Sequence, residues 1–232
     1  MDLKSEQEDE MWIAWQEAAP RIYDKTYYSG NPLVARVNES GHRLAERMYD
    51  PSQYFSTVLE VGAGTGAHLP HVHHRFDRYV LTDISPDLLQ IAAKRHEGRA
   101  DLAFEVCDAT RLKFADASFD RLISIYNLEH LPQPHLVLKE WRRVIKPGGV
   151  LTIAIPLDGG IAWRLGRYLS TRRSFAREGL DLDYIIAREH INPAYNLISL
   201  IRHYFGNRRE WWYPFGVPLV DVNLVYCCSL RV

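Results

Sequence analysis

Apolar positions change their spacing twice along this chain, and the changes mark three stretches. In the first, they recur at helical intervals. Met11, Ile13, Ala14, Trp15 and Ala18 give Met11–Ala19 the pattern of a short amphipathic helix, which Pro20 is expected to close. Ser29-Gly30-Asn31-Pro32 reads as a turn, and Leu33–Tyr49 as a second helix with Gly41 inside it, ended by Asp50-Pro51-Ser52.

From residue 57 the pattern becomes one of short apolar runs separated by helical segments. Thr57–Val61, Arg78–Thr82, Leu102–Val106, Arg121–Ile125 and Val150–Ile155 have the length and composition of buried strands. A helix is expected after Gly62–Gly66. Another should begin at Ser85-Pro86-Asp87, with Ser85 as its cap and Pro86 in its first turn, and a third spans Leu136–Val144 before Lys146-Pro147-Gly148-Gly149. Repeated units of this kind specify a parallel sheet covered by helices on both faces. After Pro156 the alternation stops. Ile161–Glu178 reads as a basic helix and Pro193–Phe205 as an amphipathic one. Glu210–Phe215 and Val222–Leu230 then follow as two strands with no helix between them, which predicts an antiparallel pair at the sheet edge. No internal repeat or flexible linker interrupts the chain, so one domain is expected.

Composition narrows the function. With 28 Lys and Arg against 29 Asp and Glu, the net charge is -1, and no general basic excess would draw the protein onto nucleic acid; a nucleic-acid partner is not expected. No uncharged stretch approaches the roughly 18 residues of a membrane span. Cys107, Cys227 and Cys228 read as reduced thiols, and with no secretory signal at the start the expected location is the cytoplasm.

The glycine-rich bend carries the first chemical signal. Gly62-Ala63-Gly64-Thr65-Gly66-Ala67 fits the dinucleotide fingerprint, which leaves a nicotinamide cofactor open at this point. Its surroundings argue otherwise. Glu60 stands inside the strand two residues before the bend, where a pyrophosphate gains nothing from a carboxylate but a cationic ligand would. Asp83 ends the second strand, 23 residues after Glu60, where an acid can take ribose hydroxyls. Asp108, followed by Ala109, ends the third and is placed to accept from an adenine amine. Ser124-Ile125-Tyr126-Asn127 ends the fourth, and Pro147-Gly148-Gly149 leads into the fifth.

Together these segments resemble the class I S-adenosylmethionine-dependent methyltransferases, most closely the type 11 branch that includes quinone C-methyltransferases. Val58–Gly66 is similar to the first motif of that family and Leu81–Ser85 to the second. Cys107-Asp108-Ala109 and Phe114–Asp120 are similar to the third and fourth, and Glu140–Gly149 to the segment before strand five. The likeness covers Thr57 to Pro156. It implies a Rossmann-like α/β fold with a seven-stranded sheet of order 3-2-1-4-5-7-6, strand seven antiparallel; the helical spacing before residue 52 adds a helical N-terminal cap, outside the likeness. The regions would be 1–52 (cap), 53–156 (cofactor-binding core), 157–208 (acceptor-facing cover) and 209–232 (terminal strand pair). It also implies site roles. Gly62, Ala63, Gly64 and Gly66 would pass under the methionine part of S-adenosylmethionine, and Glu60 would orient its amino group. Asp83 would hold the ribose, Ile84 would pack on adenine, and Asp108 with Ala109 would read the adenine amine. Tyr126 would lie near the sulfonium. Apart from the resemblance, Tyr23, Tyr27 and Tyr28 either form a lid that binds over the cofactor or pack as core aromatics.

Methyl transfer from a sulfonium needs alignment above all, and an oxygen acceptor also needs a base. His130, after strand four, and His190, before the helix at Pro193, are the candidates. His68, His71, His73 and His74 are expected to be a solvated helix face, and no metal site is expected. Arg164, Arg167, Arg172, Arg173 and Arg177 are either a solvated face or a lining for an anionic acceptor or an anionic membrane surface, while Trp211, Trp212, Tyr213 and Phe215 either pack a strand or stack on rings. The leading expectation is O-methylation of a polar, sugar-like or anionic small molecule. The rivals are C-methylation of a quinone-like acceptor, a nicotinamide-dependent oxidoreductase and an inactive cofactor-binding scaffold. Oligomeric state is left open.

Overall fold

Strand pairing in the computed structural model, which describes residues 5–24 and 31–232, builds one sheet of order β3-β2-β1-β4-β5-β7-β6. Its strands are β1 (Thr57–Val61), β2 (Arg78–Asp83), β3 (Leu102–Val106), β4 (Phe119–Ile125), β5 (Ile145–Pro156), β6 (Arg208–Tyr213) and β7 (Val225–Arg231). The first five are parallel, and β7 runs antiparallel to both β5 and β6. This is the topology the sequence implies. It differs from the dinucleotide-binding order 3-2-1-4-5-6 by the inserted antiparallel strand.

Side chains on the sheet alternate between two cores. Leu59, Val61, Leu122, Leu151 and Ile153 face the helices α4 (Pro134–Val144) and α8 (Ala194–Tyr204), meeting Leu138, Trp141, Leu197 and Ile201. Val58, Leu81, Ile123, Ala154 and Cys227 face the other way, toward Ala45 of α2 (Pro32–Glu46) and Leu89 of α3 (Pro86–Arg95). The caps are local: the Asn31 side chain accepts from Leu33 N, and Ser85 accepts from Leu88 N. A third, smaller core joins α1 (Ser5–Asp24) to the segment after β5. There Trp15 and Ala18 pack with Phe175 of α6 (Thr171–Arg177), Leu180, and Leu182 and Ile185 of α7 (Leu182–Glu189).

Four expectations are corrected. The first helix runs through Pro20 to Asp24, because a proline removes one backbone bond without ending a helix whose buried face is anchored at Trp15 and Ala18. No α-helix follows the glycine bend. Residues 67–77 form only a single turn at Leu69–His71, where Pro70 lacks a donor, and α2 covers this part of the sheet and touches that turn. The basic stretch breaks at Ser170, which is non-helical and donates its hydroxyl to Gly166 O, giving α5 (Ile161–Leu169) and α6. Helix α7 was not anticipated; Asp181 caps it by accepting from the backbone N–H groups of Asp183 and Tyr184. Among the described residues no helix is long and apolar enough to cross a membrane, and the three cysteines are free and buried.

Candidate active site

The glycine bend is held to the end of β2. Backbone N–H groups of Gly62 and Ala63 both donate to Thr82 O at 2.9 Å, and Gly62, Gly64 and Gly66 all take positive φ. At Gly62 (φ 74°) a side chain would run into Asn127, whose Cβ would lie 2.7 Å from the added carbon, so the end of β4 sits directly against the bend. Asp83 completes it: Gly64 N–H donates to Oδ2 at 2.8 Å and Ser85 N–H to Oδ1 at 2.9 Å. Burial raises the Asp83 carboxyl, against the pull of those backbone bonds.

The ends of β2 and β3 adjoin, since Cys107 N–H donates to Asp83 O at 3.0 Å. Ile84 is 72% exposed there, an unusual position for a large apolar side chain and a fitting one for a flat ring. Asp108 is exposed, with its Oδ1 taking both the N–H and the hydroxyl of Thr110. Ala109 is buried and its carbonyl accepts from Trp141 Nε1 at 3.0 Å. Asp83, Ile84, Asp108 and Ala109 therefore share the carboxyl edge of the sheet, beside the bend.

Two residues are oriented differently from expectation. The Glu60 carboxylate is buried and accepts from the Tyr79 hydroxyl at 2.7 Å, and burial raises its pKa. Side chains alternate along a strand, so Glu60 points into the α2-facing core rather than out at the open edge. Tyr126 keeps its backbone at the end of β4 (φ 55°), but its hydroxyl donates to Asn38 O at 3.0 Å and its ring lies against Gly41 of α2. Tyr27 and Tyr28 lie outside the described residues, as does the side chain of Tyr23.

Of the four histidines after the bend, His73 is exposed and His71 half-buried, but the other two are not on a solvated face. His68 and His74 are buried around Glu46, whose carboxylate takes both Arg121 guanidinium nitrogens (3.0 and 2.7 Å) and faces His68 Nε2 at 3.0 Å. Burial opposes ionisation of Glu46, yet Arg121 and His68 outweigh it and hold the carboxyl far below its ordinary range. This ionic network ties α2, β4 and the segment after the bend together. It escaped sequence reading, although an arginine inside the apolar run Phe119–Ile125 signals a buried acid partner.

The two expected base candidates do come together. His130 ends a single turn after β4 (Leu128–His130), His190 caps the end of α7, and their rings stand edge to face 4.7 Å apart. His190 Nδ1 meets Asp158 Oδ2 at 2.7 Å, and His130 Nδ1 meets the Glu189 carbonyl at 3.1 Å. A carbonyl can only accept, so His130 carries its proton on Nδ1. Burial, with His190 nearby, lowers His130 to about 3. Burial also acts to lower His190, but its bond to Asp158 and the charges of Glu129, Asp158 and Glu189 reverse the shift and raise it. Glu129, which the sequence reading passed over, is 1% exposed, and burial pushes its carboxyl up to about 8. Its adjacency to His130 just after a strand end was the available signal.

Of the basic run, Arg167 and Arg172 pair with Asp183, while Arg173 and Arg177 line a groove of about 210 Å³. Trp212 is buried against Tyr226, Trp211 is partly buried, and Phe215 is exposed.

Residues 59–153 match a family model described as a methyltransferase domain. These residues carry a methyltransferase domain, set in a sheet with the order of the class I S-adenosylmethionine-dependent methyltransferases. Relatives of this domain include the methyltransferase GfsG of Streptomyces halstedii, 34% identical over 134 residues, covering 55% of this chain and 48% of the relative. Demethylmenaquinone methyltransferase of Renibacterium salmoninarum is 40% identical over 98 residues, covering 42% and 40%. The chain thus spans about half or less of the curated relatives it matches. The same fold occurs in the N-methyltransferase NodS of Bradyrhizobium japonicum WM9, solved with S-adenosyl-L-homocysteine, at a TM-score of 0.61 with 17% identity over 94% of this chain and 97% of NodS. A possible histamine N-methyltransferase of Thermotoga maritima has a TM-score of 0.61 with 18% identity over 95% and 99%.

Proposed function

We propose that this chain is a cytosolic enzyme that transfers the S-adenosylmethionine methyl group to a hydroxyl oxygen of a small, polar or anionic molecule. One observation carries the choice of oxygen: His130, His190, Asp158 and Glu129 gather beyond the ends of β4 and β5, the edge that also bears the cofactor residues. A free amine or an already stabilised carbanion needs less help from a base than a hydroxyl of high pKa does. In this reading Gly62, Ala63, Gly64 and Gly66 pass beneath the methionine part and Asp83 takes the ribose hydroxyls. Ile84 and Ala109 border the adenine, and Asp108 accepts from its amine. Tyr126 contributes backbone near the sulfonium. Glu60 supports the bend from below, through Tyr79.

When bound, S-adenosylmethionine would supply the methyl group by displacement at its methyl carbon, leaving the neutral thioether, and the acceptor hydroxyl would have one proton to give up. His190 takes it on Nε2. Its raised pKa brings it nearer working pH than His130, and Asp158 stabilises the imidazolium that forms. Arg173 and Arg177 in their groove favour an anionic acceptor. The quinone-methyltransferase relatives match over 40% to 56% of this chain, and the family match at residues 59–153 leaves out the region beyond β5 where the acceptor would sit.

The test is release of S-adenosyl-L-homocysteine across a panel of hydroxylated sugars, sugar phosphates and phenols. O-methyl products from wild type, lost in His190→Ala with cofactor affinity retained, support the reading. Turnover only on amines or on quinone carbon, or full turnover in both His130→Ala and His190→Ala, rejects it.

A further inference from the structure

The same three side chains meet the requirements of a metal centre, against the sequence expectation. Glu129, His130 and His190 each offer a ligand atom, and those atoms lie within 4.8 Å of one another; Glu129 Oε1 stands 3.8 Å from His130 Nε2. Zinc-type bonds of about 2.0–2.2 Å place ligand atoms roughly 3.3 Å apart, so small side-chain rotations close the triangle.

Three further features point to an ion rather than to a chance cluster. His130 Nδ1 is engaged by the Glu189 carbonyl and His190 Nδ1 by the Asp158 carboxylate, which leaves both Nε2 atoms for the centre. Outer partners of this kind fix the tautomer and aim of metal-binding imidazoles. The Glu129 side chain is almost wholly buried, yet among the described residues its Oε2 has no hydrogen-bond partner. A buried carboxylate oxygen without a donor is costly, and a cation is one of the few groups that would satisfy it here. Finally, the donors come from two rigid points, the turn after β4 and the end of α7, and Trp15 Nε1 donates to the Glu189 carboxylate at 2.6 Å, tying that helix end to α1.

We propose that Glu129, His130 and His190 bind one divalent transition-metal ion, with a position left open toward the acceptor. Two imidazoles and one carboxylate favour zinc, cobalt or manganese over magnesium or calcium, which prefer all-oxygen sets. The inference rests on this cluster being the acceptor end of the site. Such a cation would lower the pKa of the acceptor hydroxyl enough for its proton to leave to solvent, and His190 Nε2, then a ligand, would act as the base only in the metal-free protein.

The experiment is titration of chelator-treated full-length protein with Co²⁺, followed by visible d–d absorption and by calorimetry, on wild type, Glu129→Gln and His190→Asn. Circular dichroism checks each fold, and S-adenosyl-L-homocysteine binding is measured on the same samples. Wild type should take up one equivalent with a low-coordinate cobalt spectrum, and each variant should bind at least about tenfold more weakly. Should either variant fail to fold, the coordinated nitrogens are read instead from the cobalt-shifted histidine resonances of wild type, which must be those of His130 and His190. No uptake by wild type, equal affinity in the variants, or shifted resonances from other histidines overturns the metal site. If the metal is absent but S-adenosyl-L-homocysteine binds and His190→Ala abolishes turnover, the methyl-transfer reading stands without it. If the metal binds but S-adenosyl-L-homocysteine does not, the metal centre stands and the methyl-transfer reading falls.

Discussion

Replacing Glu129 with Gln in chelator-treated protein should make the fold more tolerant of alkaline pH. The carboxyl is raised by burial from its ordinary 4.5 to about 8. At roughly 1.4 kcal/mol per pH unit, that shift corresponds to about 5 kcal/mol against the ionised form in the folded state. Between those two pH values the folded chain keeps a proton that the unfolded chain has released. Stability from this group is therefore full below pH 4.5 and is lost as pH rises through 8. Four other ionisable groups face it: His130 after β4, Asp158 after β5, and Glu189 and His190 at the end of α7. His190, raised above 6.5, adds to the alkaline loss, while His130, lowered to about 3, acts only as pH falls below 6.5. The window from pH 6.5 to 8 isolates Glu129 from His130, and there wild type should lose about 2 kcal/mol more than the glutamine variant. Urea unfolding at several pH values reads this directly, and thermal melts should show a gap of about 4–8 °C. Parallel stability curves for the two proteins across that window would refute the burial argument.

Other outcomes follow from the same geometry. Asp83→Ala should weaken S-adenosyl-L-homocysteine binding by about 1–3 kcal/mol, through lost ribose bonds and a loosened Gly64, as read by calorimetry. Asp158→Asn removes the bond that raises His190, so in metal-free protein the acid limb of the kcat profile should move to lower pH and the maximum rate should fall; an unmoved limb would exclude His190 as the titrating group. Glu46→Ala strands the buried Arg121 guanidinium and should cost about 3–5 kcal/mol in chemical denaturation, whereas a loss under 1 kcal/mol would mean the network is not structural.

Most of the sheet and the glycine bend were legible because they depend on local pattern. Strand-length apolar runs, the cap at Ser85 and the positive-φ glycines each declare themselves within a few residues. What escaped reading depends on partners distant in sequence. Arg121 looks out of place in β4 until Glu46, 75 residues earlier, is seen beside it. The histidines at 68 and 74 read as surface because nothing nearby tells of that carboxylate. Helix α7 is short, and its apolar face is defined by α1 rather than by its own length. Glu60 was read correctly as a buried-strand acid beside the bend, but the direction of its side chain follows from the pleat, and Tyr79 claims it. His130 and His190 were found singly; that they stand against each other, with Glu129 beneath, could emerge only from the packing of α7 on the end of β4.

A crystal structure of the full-length protein with S-adenosyl-L-homocysteine tests the central claim most directly. The adenosine should lie at the carboxyl edge of β1, β2 and β3, with ribose hydroxyls on Asp83, adenine over Ile84 and its amine at Asp108, and the sulfur should open toward Glu129, His130 and His190. A ligand seated elsewhere, or a sulfur turned away from the two histidines, would contradict the account.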